Sequence, residues 1–357
     1  MKICIIFGHN NTKNSFNASI RDSFIDEAIK VGHQIDVINL FDEILIIQYN
    51  VYFIRSMKSQ KLKILVIGGS GMVGYSLVKF LLKNNHDVYF TYNKKIIENS
   101  NSVFLDIMDK NMTEKIISKF EPNIVINCAA LTSVDLCETN HELAEKLNIE
   151  GTQNIVSACI KNSCKLIQIS TSYVFDGKKS LYSETDEALG ATYYGITKMR
   201  GEEIIKNSQL KYLILRTDQP YGLTEKWQKT NSVLRVINNL KINDSLNEIE
   251  DWYNTPTYLE DFVTATNALI LRESVGIFHV VGPDFINRLE WAKIIATVFC
   301  LDENKINSAN SSSLNLPAKR ANIRISNKKL ENEIGIKTVS YTHLRAHETD
   351  SYLVCRL

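Results

Sequence analysis

One strand–turn–helix passage constrains this 357-residue chain more than anything else in it. A short apolar run at residues 64–67 leads into Gly68-Gly69-Ser70-Gly71-Met72-Val73-Gly74, after which Val73, Leu77, Phe80 and Leu81 recur at helical spacing. Glycines at this spacing allow a tight turn, a close approach of backbone to a pyrophosphate, and close helix–strand packing. Free amides at the helix start supply the positive end for a phosphate. In this strand–turn–helix setting the triplet predicts a dinucleotide site.

The stretch around it has the matching rhythm. Residues 63–67, 87–92, 124–127, 165–169 and 212–215 read as Val/Ile-rich strands, separated by helical patterns such as Leu143, Leu147, Ile155, Val156 and Cys159. Strand–helix alternation with near-continuous apolar strands implies an α/β fold, a Rossmann-type doubly wound parallel sheet covered on both faces. After Tyr221-Gly222 the pattern loosens into mixed helices and short strands, which reads as a smaller C-terminal α/β substrate region. The domains expected are therefore 57–222 for the nucleotide and the chemistry and 223–338 mainly for the substrate. Residues 1–56 form an incomplete α/β beginning, with strands at 3–7, 34–40 and 44–52 and a helix at 19–31. Residues 339–357 lack periodicity and read as a disordered, non-native tail.

Composition excludes several functions. Formal net charge is +1, which gives no electrostatic case for nucleic acid or an anionic membrane. No apolar run approaches the ~20 residues of a membrane span. At the N-terminus Gly8-His9-Asn10 breaks the apolar run at strand length, unlike a signal peptide. The seven cysteines include no C-x-x-C pair, and several sit in apolar stretches. Free thiols in a reducing, cytoplasmic compartment follow, rather than disulfides or zinc. His343 and His347 have i,i+4 spacing, but no metal site is expected.

The second strand ends in Thr91-Tyr92-Asn93-Lys94-Lys95, two cations and no carboxylate. An NAD site usually carries an acid there for the ribose diol. Its absence favours a 2′-phosphate, and so NADP(H), with NADH as the lesser possibility. Asp106, in Leu105-Asp106-Ile107, offers a carboxylate to the adenine amine, and Ala129 and Ala130 let a cofactor lie against backbone. The expected cofactor surface is Gly68, Gly71, Met72, Val73, Gly74, Asn93, Lys94, Asp106, Ile107, Ala129, Ala130 and Thr132, completed by Tyr194 and Lys198.

Tyr194 and Lys198 are i,i+4 and share a helix face. A free phenol titrates near ~10 and is a poor acid–base group at neutral pH. A neighbouring ammonium lowers that value and fits the pair to proton transfer. Ser170-Thr171-Ser172 ends the preceding strand, where ligands of such sheets bind, and Thr171 can hold the same carbonyl oxygen. Tyr193 is the rival phenol, but Lys198 is off its face.

Assembled, these residues resemble the extended short-chain dehydrogenase/reductases, and within them the dTDP-4-dehydrorhamnose reductase branch. The resemblance covers residues 57–338. It rests on Gly68-x-x-Gly71-x-x-Gly74, on residues 127–138, on Asn148-x-x-Gly151-Thr152-x-Asn154, on Ser170-Thr171-Ser172-Tyr173-Val174-Phe175-Asp176-Gly177, on Tyr194-Gly195-x-Thr197-Lys198 and on Leu215-Arg216-Thr217. It implies an enzyme with Thr171, Tyr194 and Lys198 as its catalytic triad. NADPH would reduce the C4 ketone of a nucleotide-linked 6-deoxy-4-ketohexose. Tyr194 would donate the proton, and Lys198 would bind the nicotinamide ribose and hold down the Tyr194 pKa. Ser172, Val174, Arg216 and Gln219 would meet the sugar, and a homodimer is one possible assembly. Two departures bear on the substrate: Ser172 replaces the usual aspartate, and residues 216–222 lack the usual tryptophan. Alternatives of the same fold are a non-catalytic NADP-binding regulatory subunit of the methionine adenosyltransferase type, and a nucleotide-sugar epimerase. Separately, residues 8–17 resemble the flavin-phosphate loop of flavodoxin-like NAD(P)H:quinone reductases, and 46–53 their third strand. Most of that domain is missing, so no flavin binding is expected.

Overall fold

The computed structural model describes residues 2–7, 34–39 and 61–338, apart from 96, 98, 99, 243, 244 and 336. The chain divides into two units, Met1–Gln60 and Lys61–Leu357. In the first, β1 (Lys2–Phe7) and β2 (Gln34–Asn39) pair in parallel, Lys2 opposite Gln34, at the positions the apolar runs predict. The expected helix at 19–31, the strand at 44–52, the flavin-type loop at 8–17 and the tail at 339–357 lie outside the described residues.

The second unit is built on a seven-stranded sheet, parallel throughout. Its strands are β3 (Lys63–Ile67), β4 (Asp87–Tyr92), β5 (Ser102–Phe104), β6 (Ile124–Asn127), β7 (Lys165–Thr171), β8 (Tyr212–Thr217) and a last strand, Gly276–His279. The spatial order is Gly276–His279, β8, β7, β6, β3, β4, β5. Chain order thus reverses between β3 and β6, the crevice where doubly wound sheets bind ligands.

Alternate residues of β3 serve opposite faces. Ile64 and Val66 pack with Leu77, Val78 and Leu81 of the helix Met72–Lys83. Leu65 and Ile67 pack with Ile116, Ile117, Ile155 and Cys159 on the other side. All four β3 residues are fully buried, which is why the strand reads as unbroken apolar sequence.

Two features differ from the expectation. The expected division at residue 222 does not hold for the core. Phe262, Val263 and Leu269 of the helix Leu259–Leu271, Phe278 of the last strand, and Leu330 and Ile334 all join the core layer of Ile64 and Val66. The last strand is only four residues long, too short for its periodicity to register, yet it covers the β8 edge. Second, the helical pattern at 141–161 is interrupted. His141–Glu145 passes into a π-helical turn, Lys146–Glu150, before Gly151–Lys161 resumes. The rest of the C-terminal part has its own small core, with Val236, Ile237 and Leu240 packed on Trp291, Ile295 and Ile306.

Candidate active site

Gly68 opens the turn at φ +74°, and its amide donates to the Thr91 hydroxyl at 3.0 Å. A Cβ at Gly68 would stand 2.8 Å from the Ala129 amide nitrogen, and one at Gly74 would stand 2.4 Å from the Gly68 carbonyl oxygen. The first close approach seats the turn against the end of β6, and the second seats the helix on the turn. Gly71 is exposed, its amide donates to the Gly68 carbonyl at 3.1 Å, and a Cβ there would stand 3.4 Å from the same oxygen. No side chain caps the helix that begins at Met72. Its first amides, Met72 and Val73 among them, therefore fit a pyrophosphate lying over Gly71.

The remaining expected cofactor residues surround this turn unevenly. Asn93 and Lys94 are exposed at the end of β4, with the Asn93 amide donating to the Leu105 carbonyl at 3.1 Å. Asp106 is half-buried and accepts from the Met108 amide at 3.0 Å. Ala129 and Ala130 are half-buried, and Thr132 is exposed. Ile107 is different. Its side chain is buried, 2.7 Å from where a Cβ of Gly151 would be, and Asn154 donates to its carbonyl. It belongs to the core and offers no side chain to a ligand.

Thr171 ends β7, and Tyr194 and Lys198 lie on the helix Tyr193–Lys206. Thr192 caps that helix by accepting from the Gly195 amide at 3.2 Å. The helix then presses on the turn Ser172–Val174 so closely that a Cβ at Gly195 would be 2.0 Å from the Tyr173 carbonyl oxygen. That approach brings the Tyr194 phenol against the Thr171 hydroxyl, which favours the charged form of the phenol. Burial outweighs this and pushes the phenol above its ordinary value, with Cys137 and Asp218 adding to the rise. The Lys198 ammonium donates to the Ile169 carbonyl at 2.9 Å, and burial lowers its pKa to about 8. The expected net lowering of Tyr194 is overridden because desolvation dominates, although the Lys198 charge acts within the site, on Cys128 and Cys137. Tyr193 donates to Glu145 at 2.7 Å and stacks on His141, away from this group.

The four expected sugar contacts divide. Ser172 is fully buried beside Asp218. Gln219 is half-buried at φ +38° and accepts from the Ser232 hydroxyl at 3.1 Å. Val174 is sealed in a core with Phe175, Tyr182 and Val281, so its side chain has no surface for a ligand. Arg216 is likewise withdrawn. Its Nε and terminal nitrogen donate to the two Glu202 oxygens at 2.9 and 2.6 Å, and Ser170 donates to the same carboxylate. His279 completes the network as a neutral ring, its Nδ1 donating to the Ser326 carbonyl and its Nε2 accepting from Arg216. Burial and the Arg216 charge hold its pKa down at about 3. For Val174 and Arg216, packing replaces the expected substrate contact.

The structure gives contacts to residues for which the sequence supplied no role. Asn148, in the π turn, accepts from the Leu131 amide at 2.8 Å and donates to Thr197 at 3.0 Å, tying the helix Tyr193–Lys206 to the loop after β6. Such turns often mark functional sites. The guanidinium carbons of Arg288 and Arg320 lie 4.8 and 5.3 Å from the Trp252 ring centroid. Both charges act on Tyr173, whose ring centroid lies 6.1 Å from that of Tyr194. Only the polar–aromatic composition of residues 251–257 signals this cluster in the sequence. Among the described residues no group of three or more His, Cys, Asp and Glu is placed to hold a metal, and no helix is long and apolar enough to cross a membrane.

Comparison with known proteins adds four findings. Residues 62–351 match the family model described as the RmlD substrate binding domain. A dTDP-4-dehydrorhamnose reductase of Aggregatibacter actinomycetemcomitans is 33% identical over 237 residues, 64% of this chain and 76% of that protein. A methionine adenosyltransferase 2 subunit beta of Pongo abelii is 26% identical over 275 residues, 75% of this chain and 81% of that protein. Among solved structures, a dTDP-4-dehydrorhamnose reductase from Bacillus anthracis in complex with NADP superposes with a TM-score of 0.74 at 26% identity. The alignment covers 82% of this chain and 100% of that one.

Proposed function

The chain belongs to the RmlD substrate binding domain family and is an NAD(P)-dependent oxidoreductase; from that premise we propose that it uses NADPH to reduce the C4 ketone of a nucleotide-linked 6-deoxy-4-ketohexose, as in dTDP-L-rhamnose formation. The observation that carries this reading is the Tyr194 phenol set against the Thr171 hydroxyl at the ligand-binding end of the sheet.

When bound, the nicotinamide supplies hydride to the carbonyl carbon. The chain's own residues handle the oxygen. Thr171 holds it, and Tyr194 donates the proton as negative charge develops. A phenol raised by burial stays protonated at neutral pH and still yields its proton to the more basic alkoxide. Lys198, with its pKa near 8, remains largely cationic at neutral pH and orients the ribose. Exposed Lys94 at the end of β4 supports a 2′-phosphate. Free thiols support a cytoplasmic setting.

Purified protein is expected to consume NADPH with dTDP-4-keto-6-deoxyhexose. Tyr194→Phe should lower kcat by about 10²–10⁴ while NADPH still binds. Unchanged turnover in that variant would refute the role given to Tyr194. A second reading, an NADP-binding regulatory subunit, is favoured by the relatives named methionine adenosyltransferase 2 subunit beta. It expects no turnover on any ketosugar and recovery of a synthetase in pull-down. Sedimentation of the full chain tests the homodimer.

A further inference from the structure

We propose that Asp218 is the specificity-determining carboxylate of this active site, accepting a hydrogen bond from a sugar hydroxyl next to the carbon that is reduced. The inference rests on the ketoreductase reading above. It begins with the register of the sheet. β7 and β8 pair with Ser170 opposite Arg216 and Thr171 opposite Thr217. Just past the ends of both strands, Ser172 and Asp218 are side-chain neighbours.

The surroundings of Asp218 are polar and unfinished. Its Oδ2 accepts from the Thr255 amide at 2.8 Å. Burial pushes its pKa up to about 6, while the Thr255 amide, the Ser172 hydroxyl, the Asn254 side chain and the Gln219 backbone favour the carboxylate form. Yet Ser172 Oγ, Asn254 Oδ1 and Thr255 Oγ1 are buried with no aligned hydrogen-bond partner among the described residues. Buried polar atoms are normally satisfied, so unpaired oxygens on three residues that border Asp218 point to a polar group from outside the chain. Asp218 makes no ion pair with a lysine or arginine among the described residues. It is 4% exposed, comparable with Tyr194 at 8% and Thr171 at 7%. Its charge also acts on both Tyr194 and Tyr173, so it belongs to the same group of buried polar side chains as the proton donor. A carboxylate here welcomes a hydroxyl donor and repels a sugar that itself carries a carboxylate.

Calorimetric titration of the full chain, saturated with NADP⁺, tests this with dTDP-L-rhamnose against dTDP alone. The wild-type protein should bind the sugar nucleotide at least about tenfold more tightly than dTDP, because a site built around a hydroxyl loses much when it is missing. In Asp218→Asn the side-chain carbonyl takes the Thr255 amide, and the amide group presents a donor where an acceptor stood. That ratio should then fall to near one while dTDP affinity stays within about twofold. Asp218→Ala should behave alike, and thermal melting checks that each variant folds. A wild-type ratio near one, a ratio unchanged in the variants, or an equal loss for dTDP and the sugar nucleotide would each overturn the proposal. Wild-type turnover is measured separately. Asp218-dependent sugar binding without any ketosugar turnover would reject reduction and leave the sugar contact standing. Turnover with no dependence of binding on Asp218 would reject this proposal alone.

Discussion

A Cβ on Gly195 would come within 2.0 Å of the Tyr173 carbonyl oxygen, so the catalytic helix and the turn after β7 touch backbone to backbone at one point. Gly195→Ala must push them apart. The expected cost is about 1–3 kcal/mol of overpacking. Turnover should fall further, by about 10²-fold, because displacement on the scale of 1 Å separates Tyr194 from Thr171. Melting temperature and kcat measured together check this. A variant that melts and turns over like wild type would show that the approach does not matter.

Lys198 should behave as a group kept for function at the expense of stability. Its pKa is lowered from 10.5 to about 8, chiefly by burial. The folded state therefore binds fewer protons than the unfolded chain between those values, and stability rises with pH across that window. Below about pH 8 the full cost applies, on the order of 3 kcal/mol. Lys198→Met should thus be more stable than wild type at pH 7, with the advantage shrinking between pH 8 and 10.5, and it should lose turnover. Urea denaturation at pH 7 and pH 10 supplies the comparison; an advantage that grows with pH would contradict the assignment.

The buried Arg216–Glu202 pair predicts strong coupling. Glu202→Gln leaves the Arg216 charge without its bidentate partner, at a cost of about 3–5 kcal/mol. Replacing both residues, Glu202→Gln with Arg216→Met, should recover much of that loss. Denaturant unfolding of the two singles and the double measures the coupling, and additive losses would mean that the two side chains act independently.

Cofactor preference should turn on an exposed side chain. Lys94 stands at the end of β4, where a 2′-phosphate would lie. Lys94→Glu should reduce kcat/KM for NADPH about tenfold and leave NADH nearly unchanged. Equal effects on both cofactors would remove Lys94 from the phosphate site.

Much of the nucleotide end was legible in the sequence. Gly68 and Gly74 are required by contacts within a few residues or with the adjoining strand end, and such requirements leave glycines at fixed spacing. The Tyr194–Lys198 spacing was legible for the same reason, since one helical turn sets it. Val174 and Arg216 misled because a motif position tells which residue is needed, not whether it faces a ligand or the core. Here Glu202, remote in sequence and opposite in charge, claimed Arg216. The last strand, Gly276–His279, was too short to announce itself and is ordered by pairing with β8.

The sequence by itself determined the alternation of strands and helices, the glycine turn, and the identity and order of Thr171, Tyr194 and Lys198. These follow from backbone sterics and helical period, which act over a few residues. Tertiary structure alone decided that Asp218 stands beside Ser172, and that burial rather than a neighbouring ammonium governs the Tyr194 phenol. Sheet register joins residues far apart in the chain, and desolvation depends on everything packed around a group, so neither is written in any local stretch.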